Sequence, residues 1–343
     1  MAHVQLFDGY STDAFPEQEL IGSRASELNS EGEILSWGNG FLLEVQGSGL
    51  IYQAPALIIG GTVTSIDAVT EFGRFSITGA QADGFTIGNA FTQNDGNIAT
   101  AALLKGDDVI EVVDDVHSPA VPNADHTYLA RGFDGNDLMK GGGSSDSLFG
   151  GNGDDTIQAN TGDGNLLRGE DGDDSIVGAA GFDDINGNKG DDTIDGGSGG
   201  GDWLVGGQGD DLITGHHSGN ILFGNLGNDT LHGGDGGEVV RGGQGDDVIV
   251  GGAGADFISG DRGNDTESGG AGADIFHGSQ DAGVDRVLDF NQAEGDRVQL
   301  DPGTTFTLRQ VGADTVVDMG GGNQMILVGV NLSTLKDGWI FEA

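Results

Sequence analysis

GGQGDDLIT (Gly206–Thr214), GGQGDDVIV (Gly242–Val250) and GGNGDDTIQ (Gly150–Gln158) are copies of one nine-residue phrase, and their reading decides the fold. The template is G-G-x-G-x-D-x-U-x, with U a large apolar residue. Worked outward from these copies, it tiles Gly132 to His277 as sixteen units with two one-residue insertions, expected near Arg168 and Gly201. Self-similarity at a fixed short period marks a solenoid. Positions one to six read as a tight turn, because glycine reaches positive φ without steric penalty. Positions seven to nine read as a short strand with side chains on alternate faces. The eighth residue then points inward: Ile157, Ile176, Ile185, Ile194, Ile213, Leu231, Ile249 and Ile258. Two units make one coil of 18 residues. A single coil cannot bury its own apolar residues, so stacking must supply the core. Glu267 is a misfit, falling at an inward position.

Composition points the same way. Glycine accounts for 68 of 343 residues, several times the usual share of about 7%. Five prolines and no G-X-Y period exclude collagen. Acidic residues outnumber basic ones 56 to 13, for a formal charge of −43. Such a chain repels nucleic acid and anionic lipid, and its self-repulsion opposes compaction until cations neutralise it. There is no cysteine, hence no disulfide framework. The opening Met1-Ala2-His3-Val4-Gln5 lacks a basic and an apolar signal region, and no apolar run is long enough for a membrane span.

The turns carry the chemistry. Calcium takes six to eight oxygens from carboxylates and carbonyls. Glycines let backbone carbonyls converge, and the sixth-position aspartate adds charge. Consecutive units lie on opposite edges, so a unit shares an ion with the next but one. On the odd edge the sixth residue is always aspartate: Asp137, Asp155, Asp174, Asp192, Asp211, Asp229, Asp247 and Asp265. The even edge reads Asp146, Gly164, Asp183, Asp202, Asn220, Glu238, Asp256 and Asp274. The expectation is an intact odd row of about seven calcium ions between eight turns. The even row should be interrupted near Gly164, Asn220 and Glu238. A lone Gly/Asp turn reads as a solvated turn; eight in phase on one edge do not.

Domain boundaries follow composition. Residues 1–105 form a β-rich region with strand signals at Phe41–Val45, Ala56–Ile59, Thr62–Ile66 and Phe75–Thr78. Residues 106–131 hold a degenerate repeat, Gly106-Asp107-Asp108-Val109-Ile110, leading into the solenoid. Residues 132–277 are the calcium-binding array. Residues 278–343 begin with a worn copy around Asp285, continue as strands and end in the apolar tail Trp339–Ala343.

An apolar stripe is expected on the outer face of the even strands: Trp203, Ile221, Val239, Phe257 and Ile275, joined at position nine by Phe149, Leu167, Val205 and Phe223. Either a terminal region of the chain covers it, or it mediates self-association or partner docking.

Catalytic motifs are not evident. There is no H-E-x-x-H. Gly196-Gly197-Ser198-Gly199-Gly200 matches G-x-S-x-G but lies in a repeat turn rather than a strand–turn–helix elbow. His216-His217 sit in a degraded turn and read as solvent-facing. His3 and the carboxylates Asp8, Asp13, Glu17 and Glu19 read as surface. The expectation is a protein without enzymatic activity.

Residues 132–277 resemble the RTX (repeats-in-toxin) family, hemolysin-type calcium-binding repeat proteins. The phrase Asp285-Arg286-Val287-Leu288-Asp289-Phe290, with Gly295-Asp296-Arg297-Val298-Gln299-Leu300, resembles the segment that commonly follows such repeats. The resemblance implies a right-handed parallel β-roll in which each turn aspartate contributes to calcium binding. It also implies export of the unfolded chain by type I secretion machinery, directed by an uncleaved C-terminal signal in 278–343, and an extracellular or cell-surface location. The expected role is structural, in a surface layer or matrix. The alternatives are an adhesin or effector whose residues 1–105 hold a ligand, and an RTX-linked hydrolase of unrecognised type.

Overall fold

A computed structural model describes residues 127–343 apart from Ser144 and Ser218, with side chains from Ala130 onward, and the backbone of seven strands between Glu33 and Val113. His3, Asp8, Asp13, Glu17, Glu19, His117 and His126 lie outside the described residues. The chain forms two compact units, residues 1–171 and 172–343. The described residues contain no α-helix, and none of their helices could cross a membrane.

In the first unit, Ile98–Lys105, Thr127–Asp134, Asp146–Asn152 and Leu166–Asp171 run parallel in one sheet. Val109–Val113, Leu138–Lys140 and Thr156–Gln158 run parallel in the other. A coil therefore precedes Gly132. Gly73–Thr78 pairs antiparallel with Val109–Val113 and ends a meander through Glu33–Trp37, Phe41–Ile51 and Leu57–Thr70.

The strand register corrects one boundary. Ser147 pairs with Leu166 and Phe149 with Arg168, so the first inserted residue lies in the turn before Asn165 and not near Arg168. Leu167 is consequently inward and fully buried, and Arg168 takes the outward ninth position. The reason is the two-residue period of a strand: an insertion there would turn Leu167 to solvent. The turn absorbs the extra residue instead, through positive φ at Asn160, Gly162 and Gly164.

In the second unit, eight strands from Asp184–Lys189 to Ile340–Glu342 stack in parallel. Opposite them, a parallel set runs from Ser175–Val177 to Asn323–Leu327. The antiparallel strands Asp314–Gly320 and Thr307–Val311 close that sheet, a cap on what would otherwise be an open edge. The architecture is the parallel β-solenoid of a right-handed β-roll. Its core is the column of eighth-position residues, with Ile176, Ile185, Ile194, Leu204, Ile213, Leu222, Leu231, Val240, Ile249 and Ile258 at most 1% exposed. Each loses its apolar surface to the coils above and below, so burial of the column holds the stack together. At the C-terminal end Phe276, Phe290 and Trp339 join the buried aliphatics Val287, Val298 and Leu327, with ring centroids 6.2 and 6.0 Å apart.

Candidate metal centre

The odd turns hold their aspartates in a hydrogen-bonded row. In the first unit the Asp137 N–H donates to Asp155 Oδ1 at 2.7 Å. In the second, each ladder N–H donates to the Oδ1 of the next aspartate, from Asp174 through Asp192, Asp211, Asp229 and Asp247 to Asp265, at 2.8–2.9 Å. The row then continues to Asp285 at 3.3 Å. One oxygen of each carboxylate is thus used by the backbone of the neighbouring coil. The other oxygen is buried without a hydrogen-bond partner at Asp192, Asp211, Asp229, Asp247 and Asp265. It is wedged against the first glycine of its own turn: a Cβ added to Gly206 would sit 2.1 Å from Asp211 Oδ2, and one on Gly187 1.9 Å from Asp192 Oδ2. The first-position glycine is therefore required by close approach of the carboxylate.

A second row runs alongside it with opposite polarity. The fifth-position N–H donates backward, Asp191 to Asp173, Asp210 to Asp191, Asn228 to Asp210, Asp246 to Asn228 and Asn264 to Asp246, at 2.7–2.8 Å. Asp154 to Asn136 repeats this in the first unit. This explains why an aspartate or asparagine always precedes the odd ladder aspartate.

The electrostatics are those of a site built for a cation. Buried carboxylates with no counter-charge resist ionisation. Burial pushes Asp192 up to about 8, Asp211 and Asp247 to about 7, and Asp229 and Asp265 to about 6. The neighbouring backbone N–H opposes the shift, and adjacent carboxylates add to it. Among the described residues, no three acidic or histidine side chains converge on one point. A bound ion must therefore take part of its shell from turn carbonyls, the all-oxygen set that suits calcium. The orphaned oxygens and the glycine-lined turns fit that group.

The even edge is mixed. Asp146 and Asp183 each accept an N–H from position two of their own turn, Gly142 at 2.8 Å and Ala179 at 2.7 Å. Gly164 is not the ladder residue: Asn165 takes that place, accepting the Asp146 N–H at 2.9 Å. Asn220 accepts from Asp202 N–H at 3.0 Å, and its amide donates to the carbonyls of Gly215 and His217. An aspartate there would set an oxygen against two carbonyls, with nothing between them but a cation. Glu238 is one methylene longer and reaches Gly219 N–H rather than Asn220 N–H. Asp202, Glu238, Asp256 and Asp274 keep a buried second oxygen without a partner. Burial raises Asp202 and Asp274 to about 6 and Asp256 to about 7.

Two ladder members escape the repeat phrase. Asp285 accepts from Asp265 N–H, and Asp296 from Asp274 N–H at 3.1 Å. Both stand in the same local phrase, Asp285-Arg286-Val287 and Asp296-Arg297-Val298, which keeps the aspartate two residues before an inward valine.

One side-chain chain mimics a catalytic constellation. Ser259 Oγ lies 3.2 Å from His277 Nδ1, and His277 Nε2 lies 3.3 Å from Asp301 Oδ1. Ser259 is fully buried and donates its hydroxyl to Asp261 at 2.8 Å. A nucleophile needs access to a substrate carbonyl, and the Ser259 hydroxyl is buried in this arrangement. His216 and His217 are exposed, with His216 Nε2 3.1 Å from Asp195 Oδ1.

A family comparison agrees with the repeat phasing. The model of the RTX calcium-binding nonapeptide repeat matches residues 131–166, 168–201, 197–231, 232–267 and 268–284. None of the curated proteins matches the chain. Among solved structures, it is similar to the crystal structure of the extracellular lipase LipA from Serratia marcescens at 22% identity and a TM-score of 0.31, covering 68% of this chain and 42% of that one. The chain therefore spans less than half of that protein. Aspartate rows, glycine-lined turns and a buried, mainly aliphatic column accompany the family match, and residues 131–284 are an array of the RTX family of calcium-binding nonapeptide repeats.

Proposed function

We propose that this is a secreted protein whose repeats fold on meeting extracellular calcium and which then serves a structural role in a surface layer or matrix. The observation that carries the reading is the row of buried second oxygens at Asp192, Asp211, Asp229, Asp247 and Asp265, each without a hydrogen-bond partner. In this reading the odd aspartates Asp137, Asp155, Asp174, Asp192, Asp211, Asp229, Asp247 and Asp265 bridge about seven calcium ions with turn carbonyls. Asp202, Asp256 and Asp274 supply further sites on the even edge. Asp146 and Asp183 are further candidates, set apart from the odd aspartates by accepting an N–H of their own turn.

Calcium-linked folding supports the secreted location. Extracellular calcium modules bind at roughly 10⁻⁴–10⁻³ M, so a chain of charge −43 stays unfolded where calcium is scarce and folds where it is plentiful. An unfolded passage suits type I export. The folded tail supports this order of events, since Ile340–Glu342 is a rung of the sheet, Trp339 is buried and Arg297 lies over the Phe341 ring at 3.9 Å. A signal in that tail is readable only before folding.

Self-association is the role assigned to the apolar stripe. Trp203, Ile221, Val239, Phe257 and Ile275 stand in register on adjacent strands, with Trp203 47% and Val239 36% exposed. The deciding experiment is circular dichroism with size-exclusion light scattering, in calcium and in EGTA. Calcium should bring both β signal and assembly. An unchanged β signal in EGTA would remove the folding claim, and a monomer in calcium would remove the structural role.

A further inference from the structure

The outer face of the even sheet carries an apolar run closed at its two ends by opposite charges. Trp203, Ile221, Val239, Phe257 and Ile275 hold one register position on successive parallel strands. The same position is Asp184 on the strand before Trp203 and Arg297 on the strand after Ile275. Val239 is therefore the midpoint, with the carboxylate three strands to one side and the guanidinium three strands to the other. At a strand spacing of about 4.8 Å, each charge stands about 14 Å from Val239 along the stack. Trp203, Val239 and Arg297 are exposed, and Asp184, Ile221, Phe257 and Ile275 are half-buried.

We propose that this face packs on the same face of a second copy of the chain, the two solenoids running in opposite directions about a two-fold axis at Val239. The pairing rests on the self-association assigned above to the stripe and gives it a geometry. An axis lying along the Val239 strand reverses the order of strands in the second copy. It sets Asp184 of each copy against Arg297 of the other, Trp203 against Ile275 and Ile221 against Phe257. Both end charges meet their opposites, and each large ring faces a smaller side chain. Copies running the same way would set each strand against itself, with carboxylate near carboxylate, guanidinium near guanidinium and Trp203 on Trp203. Like charges face to face are penalised more than an exposed ion pair is favoured. The charges therefore fix the direction, and the apolar run supplies the affinity. Arg241, two residues beyond Val239, faces its own copy across the axis; Asp261 already holds its guanidinium at 2.7 and 3.1 Å, so a neutralised pair stands there. Calcium on the turns lowers the mutual repulsion of two chains of charge −43. Such an interface closes on itself, so any larger assembly uses another surface.

The chain has no cysteine, so one introduced on the stripe is unique. The full chain in calcium is weighed by light scattering and then treated with a bis-maleimide whose spacer matches the roughly 10 Å between packed sheets. Val239→Cys should cross-link to itself. Trp203→Cys should not, because its two copies would stand four strands, about 19 Å, apart along the stack; an equal mixture of Trp203→Cys and Ile275→Cys should. Asp184→Arg and Arg297→Asp should each halve the mass, and their equal mixture should restore it, because both contacts of the mixed pair are again opposite in charge. The β signal in calcium checks that each variant folds; if Arg297→Asp does not, through loss of its bond to the Gly338 carbonyl, the cysteine variants decide. Self-cross-linking at Trp203 equal to that at Val239 overturns the opposed direction. A wild-type pair that no stripe cysteine cross-links overturns the stripe as the contact and leaves assembly through another surface. A wild type of single-chain mass in calcium overturns this pairing and the self-association proposed above together.

Discussion

Asp211→Asn reverses sign with calcium, and the reversal separates a cation row from an ordinary hydrogen-bonded one. The substitution is nearly isosteric and keeps an Oδ1 to accept the Asp192 N–H, now at 2.9 Å. What changes is the second atom, from a buried oxygen against Gly206 to an amide. Without calcium the wild-type carboxyl is held up at about 7 by burial, its neighbours Asp229, Asp191 and Asp210 adding to the shift. That rise of about three units is worth about 4 kcal/mol between its protonation states, so at pH 8 the amide relieves up to that amount. With calcium at a hundred times its dissociation constant, each lost ion removes about 3 kcal/mol. The assay is β signal by circular dichroism, followed against calcium at fixed pH and against pH in EGTA. Asp211→Asn should need more calcium to fold, yet keep its metal-free fold to higher pH than wild type. Destabilisation in both conditions, or an unmoved calcium midpoint, would refute the bridging argument and leave Asp211 as a hydrogen-bonding residue.

Other outcomes follow from the same coordinates. In EGTA the ladder carboxyls have folded-state pKa values of about 6 to 8 against about 4 unfolded. Their contribution is therefore present below about pH 4 and lost as pH rises through 6 to 8, so acidification should restore β signal to the stripped protein. Calcium affinity should move the opposite way, rising across pH 6 to 8 as the proton is displaced, which isothermal titration at several pH values checks. Asn220→Asp should add calcium demand on the even edge while costing about 1–3 kcal/mol in EGTA, through loss of the amide bonds to Gly215 and His217; urea midpoints with and without calcium read both. Ile213→Ala should cost about 2–5 kcal/mol irrespective of calcium, since Ile213 is fully buried in the aliphatic column.

The sequence carried the coil, the inward column and the odd row because all three repeat at a fixed interval. Ile213 and Ile249 could be placed inward, and Asp211 and Asp247 on one edge, by counting. Counting fails where glycine-rich turns take up an insertion. Nothing in Ala159–Gly164 says which residue is extra, and only strand pairing shows that Asn165 is the ladder residue and Leu167 belongs to the core. It fails again at Asp285 and Asp296, where the intervals become 20 and 22 residues. The surviving cue, an aspartate two residues before an inward valine, is local and independent of period. The opposed polarity of the fifth- and sixth-position rows was not legible, because it depends on which carboxylate oxygen meets which N–H.

The two edges answer the same electrostatic problem differently. On the odd edge each described second oxygen from Asp192 to Asp265 lacks a donor, and the fifth-position row adds further acceptors beside it. On the proposed reading, cations complete such an edge. On the even edge the answer is often internal: Asp146 and Asp183 turn an oxygen to their own backbone, and Asn220 turns an amide donor to the carbonyls of Gly215 and His217. These closures occur where the turn departs from the glycine pattern, in GGGSSD, GAAGFD and GHHSGN, so loss of the template and loss of cation demand go together. Asp202, Glu238, Asp256 and Asp274 remain open. The even edge is thus mixed, and on the function proposed above the demand for calcium falls mainly on the odd edge and the later even turns.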